Sequence, residues 1–107
     1  MTWPLSRGQV VQADPGLGEP KLFVVVSNNR RNQQLPQVLA ARLTTTRKPD
    51  IPSVVQLAHP EAFNGFVVCD DIVEVYLDEV VSVAGALSPR AVRAVNAGLA
   101  AALGLLD

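Results

Sequence analysis

The sequence predicts a mostly β, antiparallel domain with one C-terminal helix. Short apolar runs follow one another up to Ala84 and are separated by Pro, Gly, Asn and Asp, which is typical of strands joined by turns. After Ser88 the apolar period changes to that of a helix. We therefore expect a single domain over residues 1–107, built as a small β-barrel or a strongly bent sheet with the helix packed on it.

The clearest strand signals lie in the first half of the chain. Residues 21–27 are almost continuously apolar, which predicts a strand buried on both faces. Residues 38–46 alternate, which should place Arg42, Thr44 and Thr46 on one face. The other predicted strands cover residues 8–14, 53–57, 66–69, 72–75 and 79–84, and the predicted loops include residues 15–20, 28–34 and 47–50.

A start signal and a regular apolar spacing predict the C-terminal helix. Ser88 is a good N-cap, and Pro89 suits the first helical position. Apolar residues then recur at helical spacing and define one stripe, formed by Val92, Val95, Leu99, Ala102, Leu103 and Leu106.

Composition argues against several classes of protein. With 49% hydrophobic and 18% charged residues the chain is typical of a folded domain rather than a disordered one. It begins with no signal-peptide pattern, and its most apolar segment, residues 99–106, is far shorter than the ~20 residues of a membrane span. One cysteine, Cys69, allows no internal disulfide, and no Cys/His cluster suggests a metal. We expect no cofactor and a cytoplasmic location.

The net charge of −1 conceals an uneven distribution. Residues 1–48 carry a balance of +5, whereas residues 49–107 carry a balance of −6. Such a chain can present one basic face to a polyanion. Ordinary solvated surface charge is the alternative explanation, and composition alone favours it.

Five segments, in order along the chain, resemble the MazF/PemK family of toxins. The family's Arg-Pro pair, which carries its catalytic arginine, corresponds here to Lys21-Leu22, and its usual Asp near the start corresponds to Gln9. The loop between the first two strands, residues 15–20, is also shorter than in many members. The matching segments are residues 7–11, residues 24–29 with Asn32, residues 43–46, residues 67–72, and residues 87–89 with the helix they open.

The resemblance implies a fold, an activity and partners. The fold would be an SH3-like barrel of the CcdB/PemK type, assembled as a homodimer. The activity would be sequence-selective, metal-independent cleavage of single-stranded RNA, either mRNA or tRNA, which inhibits translation. A cognate MazE-like antitoxin would neutralise the toxin by wrapping the dimer and occupying its RNA groove.

Cleavage without a metal uses the 2′-hydroxyl of the RNA itself as nucleophile, so the protein must accept a proton and stabilise charge on the phosphorane. A two-histidine scheme is not possible within one chain, because His59 is its only histidine. The resemblance makes Lys21 and Thr44 the candidates that bind the phosphate, and Asp70 a candidate base or orienting group. The structural alternatives are a solvated edge charge, a β-forming threonine and a strand-ending acid.

Polar and basic residues around this site are candidates for RNA binding. Asn28 and Asn32 can equally cap a turn, and we expect His59 and Cys69 to be structural. The complete set of RNA-binding candidates is Asn28, Arg30, Arg31, Asn32, Arg42, Thr46, Arg47 and Lys48.

Two alternatives keep the fold and change the function. CcdB-type toxins share the barrel but poison DNA gyrase through protein contact, using a C-terminal Trp-Gly-Ile that this chain, ending Gly-Leu-Leu-Asp, does not have. A non-catalytic SH3-like interaction module is the other alternative, and lysine in place of the family's arginine leaves it open.

Overall fold

The computed structural model describes residues 3–105, which form one six-stranded antiparallel sheet, two α-helices and a short 3-10 helix over Leu77–Glu79. The sheet order is β4-β5-β3-β2-β1-β6, and its end strands β4 and β6 do not pair within the described residues. The fold class is therefore confirmed, as a bent open sheet rather than a closed barrel. The strands are β1 (Gln9–Ala13), β2 (Lys21–Val25), β3 (Gln37–Thr44), β4 (Val54–Leu57), β5 (Gly65–Tyr76) and β6 (Val80–Ala86), and the helices are α1 (Asn29–Asn32) and α2 (Pro89–Leu103).

The sheet buries apolar side chains on both faces, because successive residues of a strand point to opposite sides. Val10, Val24 and Ala41 line up across β1, β2 and β3 in the core that also contains α2. Phe23 lies on the other face, in a second core that includes Leu5 of the N-terminal segment. The prediction that the second strand is buried on both faces is confirmed.

Helix α2 begins as the sequence predicts, and the described residues of its predicted stripe pack on the sheet with the exception of Leu103. The Ser88 hydroxyl accepts a hydrogen bond from the Ala91 backbone N–H at 3.1 Å, and Pro89 occupies the first turn. Val95 is buried, whereas Leu103 is 61% exposed. Leu103 follows a half-buried alanine and lies about 100° further around the helix, at the edge of the packed face. From the predicted stripe, Val92, Leu99 and Ala102 pack against the core, and Leu106 lies outside the described residues.

Gly98 lets α2 approach the sheet closely. A Cβ atom at this position would lie 2.8 Å from both Cys69 Sγ and Val55 Cγ2, so the helix backbone packs directly on β4 and β5. Burial, with a smaller effect of Asp70, raises the pKa of the Cys69 thiol to about 11. Cys69 is 1% exposed, which agrees with its predicted structural role.

Three predicted features need correction. Residues 28–34, predicted as a loop, contain α1, because the Asn28 side chain caps its first turn. The two short strands predicted around the acidic pair are one strand, β5, with a bulge over residues 69–71. The third strand ends at Thr44, so Thr46 lies in the following turn and does not share the strand face of Arg42.

A carboxylate in the loop between β4 and β5 holds the start of α2. Glu61 accepts hydrogen bonds from the Ser88 backbone N–H at 3.0 Å and from the Ser88 hydroxyl at 2.5 Å. These bonds keep the pKa of Glu61 below its ordinary value of 4.5, against the opposing effect of desolvation. Glu61 and Ala91 therefore share the hydroxyl of one capping serine, which joins the loop to the helix.

We expect Glu61→Gln to lower the melting temperature at about pH 7 and to lose this effect at about pH 3. Because the pKa of Glu61 is lower in the folded state than in the unfolded state, its ionised carboxylate stabilises the folded protein above about pH 4.5. This contribution disappears as the pH falls through the lowered pKa. Thermal unfolding of both proteins at the two pH values is the measurement. Asp78→Asn, which removes an exposed carboxylate, is the control. An equal difference at both pH values would contradict the role of the Glu61 charge.

Candidate active site

Lys21 and Thr44 lie opposite each other at one end of the β2–β3 pair. Leu22 pairs with Leu43, so the next residue of each strand continues the register and points to the same face. The Thr44 hydroxyl accepts a hydrogen bond from the Thr46 backbone N–H at 3.1 Å, which leaves its own hydrogen free to donate. The two main catalytic candidates are therefore brought together by the sheet.

Glu19, which the sequence analysis did not single out, is paired with Lys21. Its Oε1 atom lies 2.5 Å from Lys21 Nζ, and the Lys21 side chain is 33% exposed. The hydrogen bond and charge of Lys21, with a smaller contribution from Arg42, hold the pKa of Glu19 below its usual range. Sequence periodicity gave no signal for this pair, because Glu19 lies in the bend before β2.

Arg42 adds a second cation to the same face of the sheet. It pairs with Phe23 on β2, two residues before Thr44 on β3. The Arg42 Nε atom is buried, and it has no hydrogen-bond partner among residues 3–105. Lys21 and Arg42 thus concentrate positive charge on this face. Glu19 is the carboxylate that contacts Lys21 there.

Gly65 allows β5 to begin against the end of β3. Its φ of +107° lies in the region that favours glycine, and a Cβ atom there would lie 2.4 Å from the backbone oxygen of Thr44. Since Phe66 pairs with Thr44, this close approach fixes the position of Thr44 from the β5 side.

Arg47 and Lys48 follow in the loop after β3, close to this end of the sheet. They line a cavity of ≈ 150 Å³ together with Gln56 and Phe66. Neither Gln56 nor Phe66 was a candidate in the sequence analysis, because only the pairing of β4 with β5 and of β5 with β3 brings them beside Thr44.

Asp70 lies apart from Lys21 and Thr44. Phe66 is the residue of β5 that pairs with Thr44, and Asp70 is four residues further, about 13 Å along an extended strand. The Asp70 carboxylate accepts a hydrogen bond from the Ser53 hydroxyl at 2.5 Å. This bond holds the Asp70 carboxylate at the bulge, and a role for it as a base or an orienting group stays a prediction.

The remaining RNA-binding candidates lie at the other end of β2, in and around α1. Asn32 is fully buried, where it accepts a hydrogen bond from the Ser27 hydroxyl and donates one to the Ser27 carbonyl, so its role is structural. Arg31 donates to both the carbonyl and the side chain of Gln37. Arg30 is exposed. Because β2 alone spans about 13 Å, these residues form a group separate from Lys21 and Thr44.

Other side chains of the described region suggest no second reactive centre. Among residues 3–105, no three His, Cys, Asp or Glu side chains are grouped so that they could hold a metal ion. His59 is exposed and lines a cavity of ≈ 230 Å³ with Glu61 and Arg90. Within the same residues, no helix has the length and apolar character needed to cross a membrane.

Comparison with known proteins identifies the family. Residues 6–103 match the family described as PemK-like, MazF-like toxin of type II toxin-antitoxin system. The chain is 41% identical to Endoribonuclease MazF4 of Mycobacterium tuberculosis over 105 residues, which cover 98% of this chain and 97% of the relative. The chain therefore belongs to the PemK/MazF-like toxin family, as the resemblance implied.

Two solved structures agree with this assignment. One is an endoribonuclease in complex with its cognate antitoxin from a mycobacterial species, with a TM-score of 0.89 and 38% identity over 97% of this chain and 99% of that chain. The other, a mycobacterial endoribonuclease, has a TM-score of 0.88 and 37% identity over 100% and 97% of the two chains. Relatives at this identity over nearly the full length confirm the predicted enzyme class, an endoribonuclease.

Proposed function

We propose that this toxin cuts single-stranded RNA, without a metal, at the end of the sheet where Lys21 and Thr44 face each other. The observation that carries the proposal is their register, which places an ammonium group and a free hydroxyl donor on one face. Arg42 on the same face adds positive charge for the RNA backbone.

The proposed reaction is attack of the 2′-oxygen on the neighbouring phosphorus. As the bond to the 2′-oxygen forms, negative charge grows on the phosphorane, where Lys21 and Thr44 can donate hydrogen bonds to its oxygens. An RNA phosphate must displace Glu19 from Lys21. The carboxylate displaced from Lys21 can accept the proton of the 2′-hydroxyl. The bond to the 5′-oxygen then breaks, that oxygen takes a proton from water, and Glu19 returns its proton to the solvent.

We expect cleavage to persist in excess EDTA and to leave a 2′,3′-cyclic phosphate and a 5′-hydroxyl. Attack by the 2′-oxygen requires these ends, whereas attack by water activated on a metal can leave a 5′-phosphate. Purified protein and a defined single-stranded RNA, followed by mass spectrometry of the fragments, provide the measurement. Loss of activity in EDTA, or fragments with 5′-phosphates, would show that the mechanism is wrong.

Lys21→Ala should reduce kcat by about 10²–10³-fold while RNA binding changes little, because the ammonium acts on charge that develops in the transition state. Lys21→Arg should retain activity, since arginine keeps the charge and offers two parallel donors. Single-turnover cleavage by the three proteins separates rate from binding. Lys48→Ala, in the loop after β3, is the matched control and should weaken binding more than it slows cleavage. A wild-type rate for Lys21→Ala would remove Lys21 from the active site.

The family and its solved structures support two protein partners. One structural relative is a complex with a cognate antitoxin, and we propose that a MazE-like antitoxin binds this toxin and covers the Lys21 end of the sheet.

We also propose a homodimer, because apolar side chains remain exposed on β6, where Val81 is 58% exposed, and at the end of α2, where Leu103 is 61% exposed. Light scattering at micromolar concentration should give twice the chain mass. A monomer with full activity would contradict the dimer.

We also propose that the loops beside the site determine whether the toxin cuts an mRNA or a tRNA. Residues 15–20 form a short connection between β1 and β2, so they leave the Lys21 end of the sheet open. An open end would admit the loop of a tRNA stem-loop as well as an extended mRNA. Sequencing the 5′ ends of RNA cut in cells shortly after expression of the toxin tests this selectivity.

A further inference from the structure

A cavity of ≈ 150 Å³ lies beside Thr44 and has no role in the chemistry described above. It is formed by strands β4 and β5 and by the loop after β3. Its lining combines a half-buried aromatic ring, Phe66, with the exposed amide of Gln56. Arg47, Lys48, Pro49, Asp50 and Val54 complete it.

The cavity lies on the same face of the sheet as Lys21 and Thr44. Gln56 pairs with Phe66 and Phe66 pairs with Thr44, so all three side chains share a face and a row across the strands. Lys21 continues this row on β2. At one strand spacing of about 4.8 Å per step, Phe66 lies about 5 Å and Gln56 about 10 Å from Thr44.

The phosphate-binding pair, the aromatic ring and the amide lie in the same order as the phosphate and the base of one nucleotide. A phosphate bound by Lys21 and Thr44 would place its neighbouring base over β5 and β4, one to two strands away. An aromatic ring offers a surface for base stacking, which tolerates any base, and an amide offers both a donor and an acceptor for a base edge. Arg47 and Lys48 supply positive charge for the adjoining backbone.

We propose that this cavity binds the nucleobase next to the scissile phosphate, stacked on Phe66 and recognised at its edge by Gln56. The proposal rests on the proposed cleavage at Lys21 and Thr44 and names the residues that select the sequence cut there. The Gln56 amide suits a base edge with a donor beside an acceptor, as in adenine. The Asp50 carboxylate in the same cavity can accept from an exocyclic amine.

Two substitutions separate stacking from edge recognition. Phe66→Leu keeps an apolar side chain but removes the aromatic surface, so affinity for single-stranded RNA should fall at least about fivefold. Gln56→Glu removes the donor and keeps acceptors, so the base preferred beside the cut should change by at least about fivefold in relative use, away from adenine and towards a base with two adjacent donors, as in guanine. Gln12→Glu, an exposed change on the other face of the sheet, is the control and should do neither.

The measurement is cleavage of a random-sequence RNA pool, with sequencing of the 5′ ends produced by each variant. Fluorescence anisotropy with single-stranded RNA gives affinity independently of cleavage, and thermal unfolding checks that Phe66→Leu folds. If both variants keep the affinity and the cleavage-site preference of the wild-type protein, the cavity is not a base site. The proposed endoribonuclease activity is not affected by that result. If the wild-type protein does not cut RNA, the proposed function fails. A lower affinity of Phe66→Leu would still support the base site in that case.

Discussion

Leu22 pairs with Leu43 in the interior of the sheet, and this register determines which side chains meet at the end of β2 and β3. A shift of one residue would turn Thr44 and Arg42 to the other face, where α2 packs. The apolar residues on both faces hold the register, because a one-residue shift of β3 would turn the charge of Arg42 into the core under α2. The candidate chemistry thus depends on hydrophobic burial that has no part in the reaction.

The same register explains the electrostatic character of the site. Lys21 is the first residue of β2, and the short connection from β1 that precedes it places Glu19 within ion-pair distance. The pair keeps an ionised carboxylate next to the ammonium group without burying either charge, since the Glu19 side chain is 67% exposed. Exposed ion pairs contribute little to stability, so an RNA phosphate can replace Glu19 at small cost.

Periodicity and cap signals predicted most of the fold because they are local properties of the chain. Residues 21–27 and the Ser88–Pro89 start of α2 were recognised in this way. The bulge over residues 69–71 was missed, since it depends on how β5 pairs with β3 rather than on composition. Helix α1 was missed because four residues are too few to show a helical period.

For the site, sequence resemblance located Lys21 and Thr44, and the structure brings them together. It also grouped them with Asn32 and Asp70, which the structure holds elsewhere through bonds to Ser27 and Ser53. A motif records which residues occur together in a family, and it does not separate those that touch a substrate from those that support the backbone. Burial and hydrogen bonding show here that Asn32 supports the backbone and that Asp70 is held away from Lys21 and Thr44.

The central claim is that RNA binds at the Lys21–Thr44 end of the sheet and not at the α1 end. A single-stranded DNA oligonucleotide with the sequence of a cleaved RNA lacks every 2′-hydroxyl and cannot be cut by the proposed route. Titrating it into ¹⁵N-labelled protein and following the amide signals tests the claim directly. The largest shifts should appear at Lys21 and over residues 44–48, with small shifts over residues 28–32. The largest shifts over residues 28–32, with Lys21 and Thr44 unchanged, would contradict it.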